Sequence, residues 1–255
     1  MYRLVFAIIA VLTLSNTLYA QDAPKPTIVL VHGAFADGSS WNGVIEKLSK
    51  DGYRTVAAAN PLRGVKTDAG YIGALISSLK TPVVLVGHSY GGSVISEAAV
   101  GHDNVKSLVY VAAFAPEEGE SAATLSAKFP GSTLAPTLAP PVDLAGGGSD
   151  LYIERKAFPK QFAHDVPAKA ASLMAATQRP ITKAALEEVS SSGAWKTVPS
   201  WFIYGDGDKN IPPQVQKFMA DRAKAKATVV IAGASHVVMV SHPKAVAELI
   251  ERAAK

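Results

Sequence analysis

The sequence predicts an α/β protein: a doubly wound, mostly parallel sheet of about six strands with an inserted helical cap. Two observations lead to this prediction. Six short runs rich in β-branched and apolar residues recur along the 255-residue chain, and segments with helical spacing of apolar residues separate them. The runs are continuously apolar rather than alternating, which is typical of parallel strands that are buried on both faces.

The elements follow in chain order. The predicted strands are TIVLV (27–31), RTVAAA (54–59), PVVLVG (82–87), VKSLVYVAA (105–113), PSWFIYG (199–205) and ATVVIAG (227–233). Between them, apolar residues three or four positions apart predict amphipathic helices. These stripes begin at Trp41, Ile72, Val94, Val215 and Val246. Alternating strands and helices of this kind place helices on both faces of the sheet.

One interval breaks the alternation. From about residue 114 to 195 the sequence contains no convincing strand, and the Pro/Gly-rich stretch PGSTLAPTLAPPVDLAGGG precedes helix-like blocks around 150–158, 167–178 and 182–190. The interval is too long for a simple loop of a compact domain. We therefore expect a helical cap, inserted at about 114–195 into a single domain that covers residues 21–255.

The first twenty residues resemble a signal peptide. A basic residue, Arg3, precedes an apolar stretch over 4–14, and polar residues then lead to Ala20. The apolar stretch is too short for a transmembrane anchor. We expect export to the periplasm or the medium after cleavage near Ala20, with no stable membrane anchor. The alternative is an uncleaved anchor, because only one basic residue precedes the apolar stretch and Leu18 stands where a smaller residue is usual.

Composition excludes several classes of function. The chain has 25 Lys+Arg against 21 Asp+Glu, a formal charge of +4, which is too mild for a nucleic-acid-binding protein. It has no cysteine, which excludes disulfides, iron–sulfur clusters and thiol nucleophiles. The run DGDKN (206–210) begins like a calcium loop, but Ile211 and Lys217 stand where that loop needs Gly and Glu. No metal and no cofactor are expected.

The motif with the clearest chemistry is Gly87-His88-Ser89-Tyr90-Gly91, between an apolar strand and a helical run. This is the context that G-x-S-x-G requires, because a sharp strand-to-helix turn lifts the serine hydroxyl clear of the sheet and leaves no room for side chains at the two glycines. Ser89 is the candidate nucleophile. The N–H of the following residue, Tyr90, is one candidate donor for an oxyanion, and the N–H of Ala34, after the first strand, is the second.

A serine nucleophile needs a base and an acid that orients the base. His236 follows the last strand and is the candidate base. Asp208 and Asp206 follow the preceding strand and compete for the role of the acid, and Glu117 or Glu118 is a third possibility. The order Ser, Asp, His along the chain is the one that G-x-S-x-G proteins use. His32 and His88 are expected to support the site structurally.

Taken together, VLVHGAF, Trp41, GHSYGG, YVAAFAP, YGDGD…IPP and ASHVVMVSHP resemble the α/β-hydrolase superfamily over nearly the whole chain. Within the superfamily, the sequence resembles the compact, capped esterase branch that includes plant methyl esterases, hydroxynitrile lyases and bacterial pyrethroid-type carboxylesterases. The resemblance implies that Asp208 is the triad acid and that Ala34 and Tyr90 form the oxyanion hole. Gly33 and Val237 stand where the lyases carry Thr and Lys, which disfavours lyase chemistry.

The resemblance implies a serine hydrolase whose partner is a small-molecule ester. The cap is rich in apolar residues and has no cluster of basic ones, so we expect an uncharged, moderately apolar carboxylic ester or lactone. Phe35 and Tyr90 are expected to line the substrate pocket. The alternatives are a non-catalytic small-molecule-binding member of the fold, an amide hydrolase or perhydrolase, and a structural protein of the cell envelope.

Overall fold

The structure, a computed structural model, describes residues 24–255. Its strands are β1 (Thr27–Val31), β2 (Thr55–Ala58), β3 (Val83–His88), β4 (Val105–Val111), β5 (Val142–Asp143), β6 (Ser149–Leu151), β7 (Ile181–Thr182), β8 (Ser200–Gly205) and β9 (Ala227–Ile231). Six of them form one parallel sheet in the order β2-β1-β3-β4-β8-β9. The predicted α/β fold is thereby confirmed. The signal peptide predicted for residues 1–20 lies outside the described residues.

Helices surround this sheet. They are α1 (Asn42–Lys50), α2 (Val65–Ser78), α3 (Tyr90–Ala98), α4 (Ala122–Ser126), α5 (Phe158–Phe162), α6 (Ala168–Thr177), α7 (Lys183–Glu187), α8 (Pro213–Arg222), α9 (Val238–Ser241) and α10 (Pro243–Ala253). Helix α2 packs against α3, and α1 packs against α10. Within residues 24–255, no helix has the length and apolar character that crossing a bilayer would require.

The centre of the sheet explains the continuous apolar runs. Every residue of β1 and β3 is buried, because both strands have a strand on each side and helices above and below. The edge strand β9 instead alternates between half-buried and exposed residues. In the β1–β3 pairing Val31 lies beside Gly87, so the loops that follow these two strands leave the sheet side by side. Functional residues from both loops therefore meet at one edge of the sheet.

Between β4 and β8 the chain forms helices α4 to α7 and a small antiparallel sheet in the order β5-β6-β7. The prediction that this interval contains no strand is therefore wrong. The helix predicted around 150–158 is wrong as well, because β6 ends at Leu151 and a helix begins only at Phe158. Gly147 and Gly148 both have positive φ and reverse the chain between β5 and β6. Strands of two or three residues are too short for periodicity to reveal.

Candidate active site

Ser89 alone makes the turn between β3, which ends at His88, and α3, which begins at Tyr90. Its φ of 54° and ψ of −124° lie in a region that residues with a side chain rarely adopt. The Ser89 carbonyl accepts hydrogen bonds from the N–H of Gly92 (2.9 Å) and of Phe114 (3.1 Å). These bonds hold the strained backbone, and such strain persists only where the surrounding structure enforces it.

Three glycines make this turn sterically possible. A Cβ atom on Gly87 would lie 2.6 Å from the carbonyl oxygen of Gly91, and one on Gly91 would lie 2.5 Å from that of Val31. A Cβ on Gly33, in the loop after β1, would lie 2.6 Å from the Cβ of Ser89. Each distance is far below van der Waals contact. The loop after β1 can therefore lie directly against the serine only because Gly33 has no side chain.

Asp208 and His236 form a buried pair. Oδ2 of Asp208 accepts a hydrogen bond from Nδ1 of His236 at 2.7 Å. Oδ1 of the same carboxylate accepts the N–H groups of Asn210 (2.8 Å) and Ile211 (3.0 Å), and Oδ2 also accepts from Nε2 of Gln216 (2.9 Å). Four donors satisfy this carboxylate in a buried place, so it can hold the imidazole in one tautomer and orientation.

The other carboxylates considered for the acid lie elsewhere. Asp206 accepts the N–H of Gly233 at 2.5 Å, Glu117 forms a partly exposed salt bridge with a lysine, and Glu118 is exposed. Of these four acidic residues, the structure therefore brings only Asp208 to the histidine. Spacing along the chain left Asp206 and Asp208 open, because both follow β8 and lie only two residues apart.

Ser89 and His236 line one cavity of about 230 Å³. Its walls are predominantly apolar and include Ala34, Phe35, Phe114, Phe162, Leu186 and Ile211. Three further polar residues also line it: Ser126, Ser132 and Asn210. The cavity thus brings together the candidate nucleophile, the candidate base and the predicted pocket residue Phe35, in surroundings that largely exclude charge.

The two candidate oxyanion donors lie beside the serine. Within residues 24–255, no protein atom accepts a hydrogen bond from the N–H of Ala34 or of Tyr90. Ala34 lines the cavity, and the close approach of Gly33 brings its loop against the start of α3. The next N–H along that loop, from Phe35, donates to the carbonyl of Arg179 at 2.9 Å. Two N–H groups without internal partners next to a serine are what an oxyanion hole requires.

The side chain of Tyr90 does not line the cavity, so the prediction that it forms part of the substrate pocket is wrong. The phenol is fully buried and donates to Oδ2 of Asp68 at 2.9 Å, so it does not line the cavity. Asp68 is itself fully buried and also accepts the N–H of Arg63 (3.2 Å). Burial raises the pKa of the Asp68 carboxyl, while the hydrogen bond from Tyr90 acts to lower it. The buried acid needs this donor, so the phenol faces Asp68 and not the cavity.

Two buried histidines, His88 and His32, support the loops that form the site. Nε2 of His88 donates to the carbonyl of His236 at 3.1 Å, and burial together with the nearby imidazole of His236 holds the pKa of His88 well below its usual value. His32 accepts the N–H of Asn60 through Nε2 at 3.2 Å, and burial lowers its pKa as well. Both rings are therefore neutral at pH 7 and act as hydrogen-bonding supports for the loops after β1 and β9.

Sequence reasoning missed three residues of this arrangement: Asp68, Gln216 and Gln161, whose Nε2 donates to Oδ1 of the cavity-lining Asn210 at 3.0 Å. Asp68 could have been found, because it lies among Val65, Ala69 and Ile72 on the apolar face of α2, where a carboxylate is rare without a partner. Gln216 follows Asp208 by eight residues with α8 beginning between them, and Gln161 lies in the interval 114–195. No local pattern singles out either glutamine.

Comparison with known proteins adds independent findings. A sequence model described as "Alpha/beta hydrolase family" matches residues 28–249. The chain is 28% identical over 251 residues to alpha/beta hydrolase nvfD of Aspergillus novofumigatus, covering 90% of this chain and 97% of that one. It is 25% identical over 268 residues to methylesterase 8 of Arabidopsis thaliana, covering 96% and 95%. The crystal structure of polyneuridine aldehyde esterase has a TM-score of 0.77 at 18% identity, covering 91% of this chain and 100% of that one, and so shares its fold.

Proposed function

The chain belongs to the alpha/beta hydrolase family, and on that premise we propose that it is a serine hydrolase that cleaves a carboxylic ester or lactone of a small, uncharged, moderately apolar substrate. One observation carries the proposal: Ser89 and His236 line the same apolar cavity, and a buried Asp208 holds the far side of the imidazole at 2.7 Å. A nucleophile, a base and an orienting acid in this arrangement are the parts of a catalytic triad.

The proposed reaction has two steps. Ser89 Oγ attacks the ester carbonyl while Nε2 of His236 takes the hydroxyl proton, and Asp208 stabilises the imidazolium that forms. The N–H groups of Ala34 and Tyr90 donate to the developing oxyanion. The alcohol leaves with the proton from His236, and an acyl-enzyme remains on Ser89. Water then attacks this ester in the same way, releases the carboxylic acid and restores the serine.

The cavity and the relatives support the substrate class. Apolar side chains make up most of the wall, so a charged group would lose its hydration there without a partner. Several relatives carry names that include esterase, among them methylesterase 8 of Arabidopsis thaliana and a carbendazim hydrolyzing esterase of Nocardioides, which favours esters over amides. Tyr90 is assigned only its backbone N–H, since its side chain lies outside the cavity.

The test compares wild type, Ser89→Ala and Ser93→Ala on p-nitrophenyl esters from acetate to long acyl chains. Ser93 is a matched control, because it is also buried, on α3 one turn away, and its hydroxyl has no partner among residues 24–255. We expect Ser89→Ala to lose at least about 10³-fold in kcat/KM and Ser93→Ala to stay within threefold of wild type.

The other outcomes separate the alternatives. Substantial activity in Ser89→Ala would refute the proposal. A wild type that hydrolyses no ester but is labelled at Ser89 by a fluorophosphonate would keep the nucleophile and remove the ester assignment. A folded wild type that is neither active nor labelled would favour the non-catalytic binding protein.

A further inference from the structure

Asn210 places an amide in the apolar wall of the cavity. The residue is only 4% exposed and lines the same cavity as Ser89 and His236. Its backbone N–H donates to Oδ1 of Asp208, which explains the position of the main chain but not the choice of an asparagine side chain. A leucine would have the same number and branching of side-chain heavy atoms and would match the apolar wall. The polar side chain therefore needs a reason of its own.

The orientation of this amide is determined by its neighbours. Oδ1 of Asn210 accepts from Nε2 of Gln161 at 3.0 Å, and the same nitrogen donates to the carbonyl of Lys209 at 3.0 Å. Oε1 of Gln161 accepts from Oγ1 of Thr133 at 2.9 Å. Because a backbone carbonyl can only accept, the nitrogen of Gln161 must face Lys209, and the oxygen of Asn210 must then face Gln161.

This leaves the amino group of Asn210 on the opposite edge of the amide. It is buried, and within residues 24–255 no protein atom accepts a hydrogen bond from it. A buried donor without an acceptor is costly, and native proteins retain few of them. Since the residue forms part of the cavity wall, a ligand in the cavity is the natural source of the missing acceptor.

We propose that Asn210 Nδ2 is a hydrogen-bonding subsite for the substrate, and that the preferred ester carries a second acceptor oxygen, of a ketone or an ether, apart from its scissile carbonyl. The inference rests on the proposed function, since Asn210 shares its cavity with Ser89. The amino group is a pure donor, so ketone and ether oxygens, which only accept, fit it. A site built to bind such an oxygen discriminates against an analogue that lacks it, because the buried donor is then left unpaired.

The test uses three esters with the same chain length: methyl hexanoate, methyl 3-oxohexanoate and methyl 5-oxohexanoate. The variant is Asn210→Leu, with Asn210→Ala as a second version in case leucine impairs folding. Thr133→Val is the matched control, because it removes a hydrogen bond from the same network without touching Nδ2. For each protein, kcat/KM of each oxo ester is divided by that of methyl hexanoate, and this ratio is compared between wild type and variants, because the intrinsic reactivity of the substrates is the same for every protein and cancels in that comparison.

We expect wild type to favour one of the oxo esters and Asn210→Leu to lower that ratio about tenfold, as the loss of one buried hydrogen bond predicts. Thr133→Val should keep the ratio within twofold. No preference in wild type, or an unchanged ratio in both Asn210 variants, would overturn the subsite.

A binding measurement separates this inference from the proposed function. In a Ser89→Ala background, NMR titration gives Kd for methyl hexanoate and for both oxo esters, with and without Asn210→Leu. If wild type hydrolyses no ester, the proposed function fails, but a Kd ratio that depends on Asn210 still supports the subsite. A Kd ratio that is the same with and without the asparagine overturns it, whatever the hydrolysis assays show.

Discussion

The cavity has two walls that are built in different ways. The sheet-side wall comes from loops at the ends of strands β1, β3, β8 and β9 and carries the polar groups Ser89, Asn210 and His236. The cap-side wall comes from the interval between β4 and β8 and consists mainly of apolar side chains such as Leu134, Leu138 and Leu186. One wall is held by directional hydrogen bonds, and the other mainly by packing.

The two walls also differ in how firmly their residues are held, and this difference suits two different tasks. Ser89, Asp208 and His236 are all buried, and Asp208 and His236 are held by hydrogen bonds of 2.7 to 3.1 Å. The three cap leucines are only partly buried. Chemistry requires reacting atoms to be held to within a fraction of an ångström, whereas selection of an apolar substrate requires only shape. The sheet-side wall therefore suits reaction, and the cap-side wall suits selection.

The two walls are also connected. Arg63 reaches from the loop before α2 to the cap, where Nη1 pairs with Asp150 at 2.6 Å and Nη2 donates to the carbonyl of Pro180 at 2.9 Å. The carbonyl of Arg179, the residue before Pro180, accepts the N–H of Phe35. Phe35 lies in the loop that also carries Ala34. The cap is thus attached to the sheet domain next to a candidate oxyanion donor.

The largest expected effect is on the sheet-side wall. Asp208→Asn should lower kcat for p-nitrophenyl esters by about 10⁴-fold, because the amide can donate to Nδ1 and stabilise the wrong tautomer of His236. Asp206→Asn is the matched control, since within residues 24–255 this exposed carboxylate accepts a hydrogen bond only from the N–H of Gly233, and it should stay within threefold of wild type. Steady-state kinetics of both variants checks the prediction, and a comparable loss in both would contradict it.

A smaller effect is expected for the hydrogen bond between Tyr90 and Asp68, two residues that do not line the cavity. Tyr90→Phe leaves the buried Asp68 without one donor and should loosen the residue whose backbone N–H is the proposed oxyanion donor. Tyr110→Phe also removes a buried phenol, bonded to Ser96 at 2.8 Å, but Tyr110 lies on β4 and does not line the cavity. Both variants should lose about 1–2 kcal/mol of unfolding free energy.

Only Tyr90→Phe should also lower kcat, by about tenfold, with KM little changed, because an oxyanion donor acts in the transition state. Kinetics and denaturant unfolding on the same two preparations provide the comparison. Equal effects of the two variants on kcat would show that the contact with Asp68 is structural only.

The smallest effect is expected on the cap-side wall. Leu186→Ala enlarges the cavity and should raise the ratio of kcat/KM for p-nitrophenyl octanoate over butyrate by about fivefold, since space rather than chemistry changes. Leu173→Ala is the control in the same cap, because Leu173 is 61% exposed and does not line the cavity. A shift of equal size in both variants would mean that the cap acts through its overall stability.

Much of the sheet-side wall was predictable from the sequence. Long apolar runs identified the six strands of the main sheet, and Gly87-His88-Ser89-Tyr90-Gly91 identified the turn, because a sharp turn restricts which residues can be adjacent in the chain. The side chain of Tyr90 was placed wrongly, since its direction depends on Asp68, which is 22 residues away in sequence. Strands β5, β6 and β7 were not predicted, because two or three residues are too few to show a periodic pattern.

Local physical constraints can be read from the sequence by itself: burial on both faces of a strand, the small residues of a tight turn, and the order of serine, acid and histidine. Tertiary structure alone paired His236 with Asp208 rather than Asp206, turned the Tyr90 phenol away from the cavity and left Nδ2 of Asn210 without a hydrogen-bond partner among residues 24–255. These outcomes depend on which polar groups meet in the folded interior, where a buried donor or acceptor without a partner is costly and rare. Such pairings join residues that are distant in the chain, so no local pattern contains them.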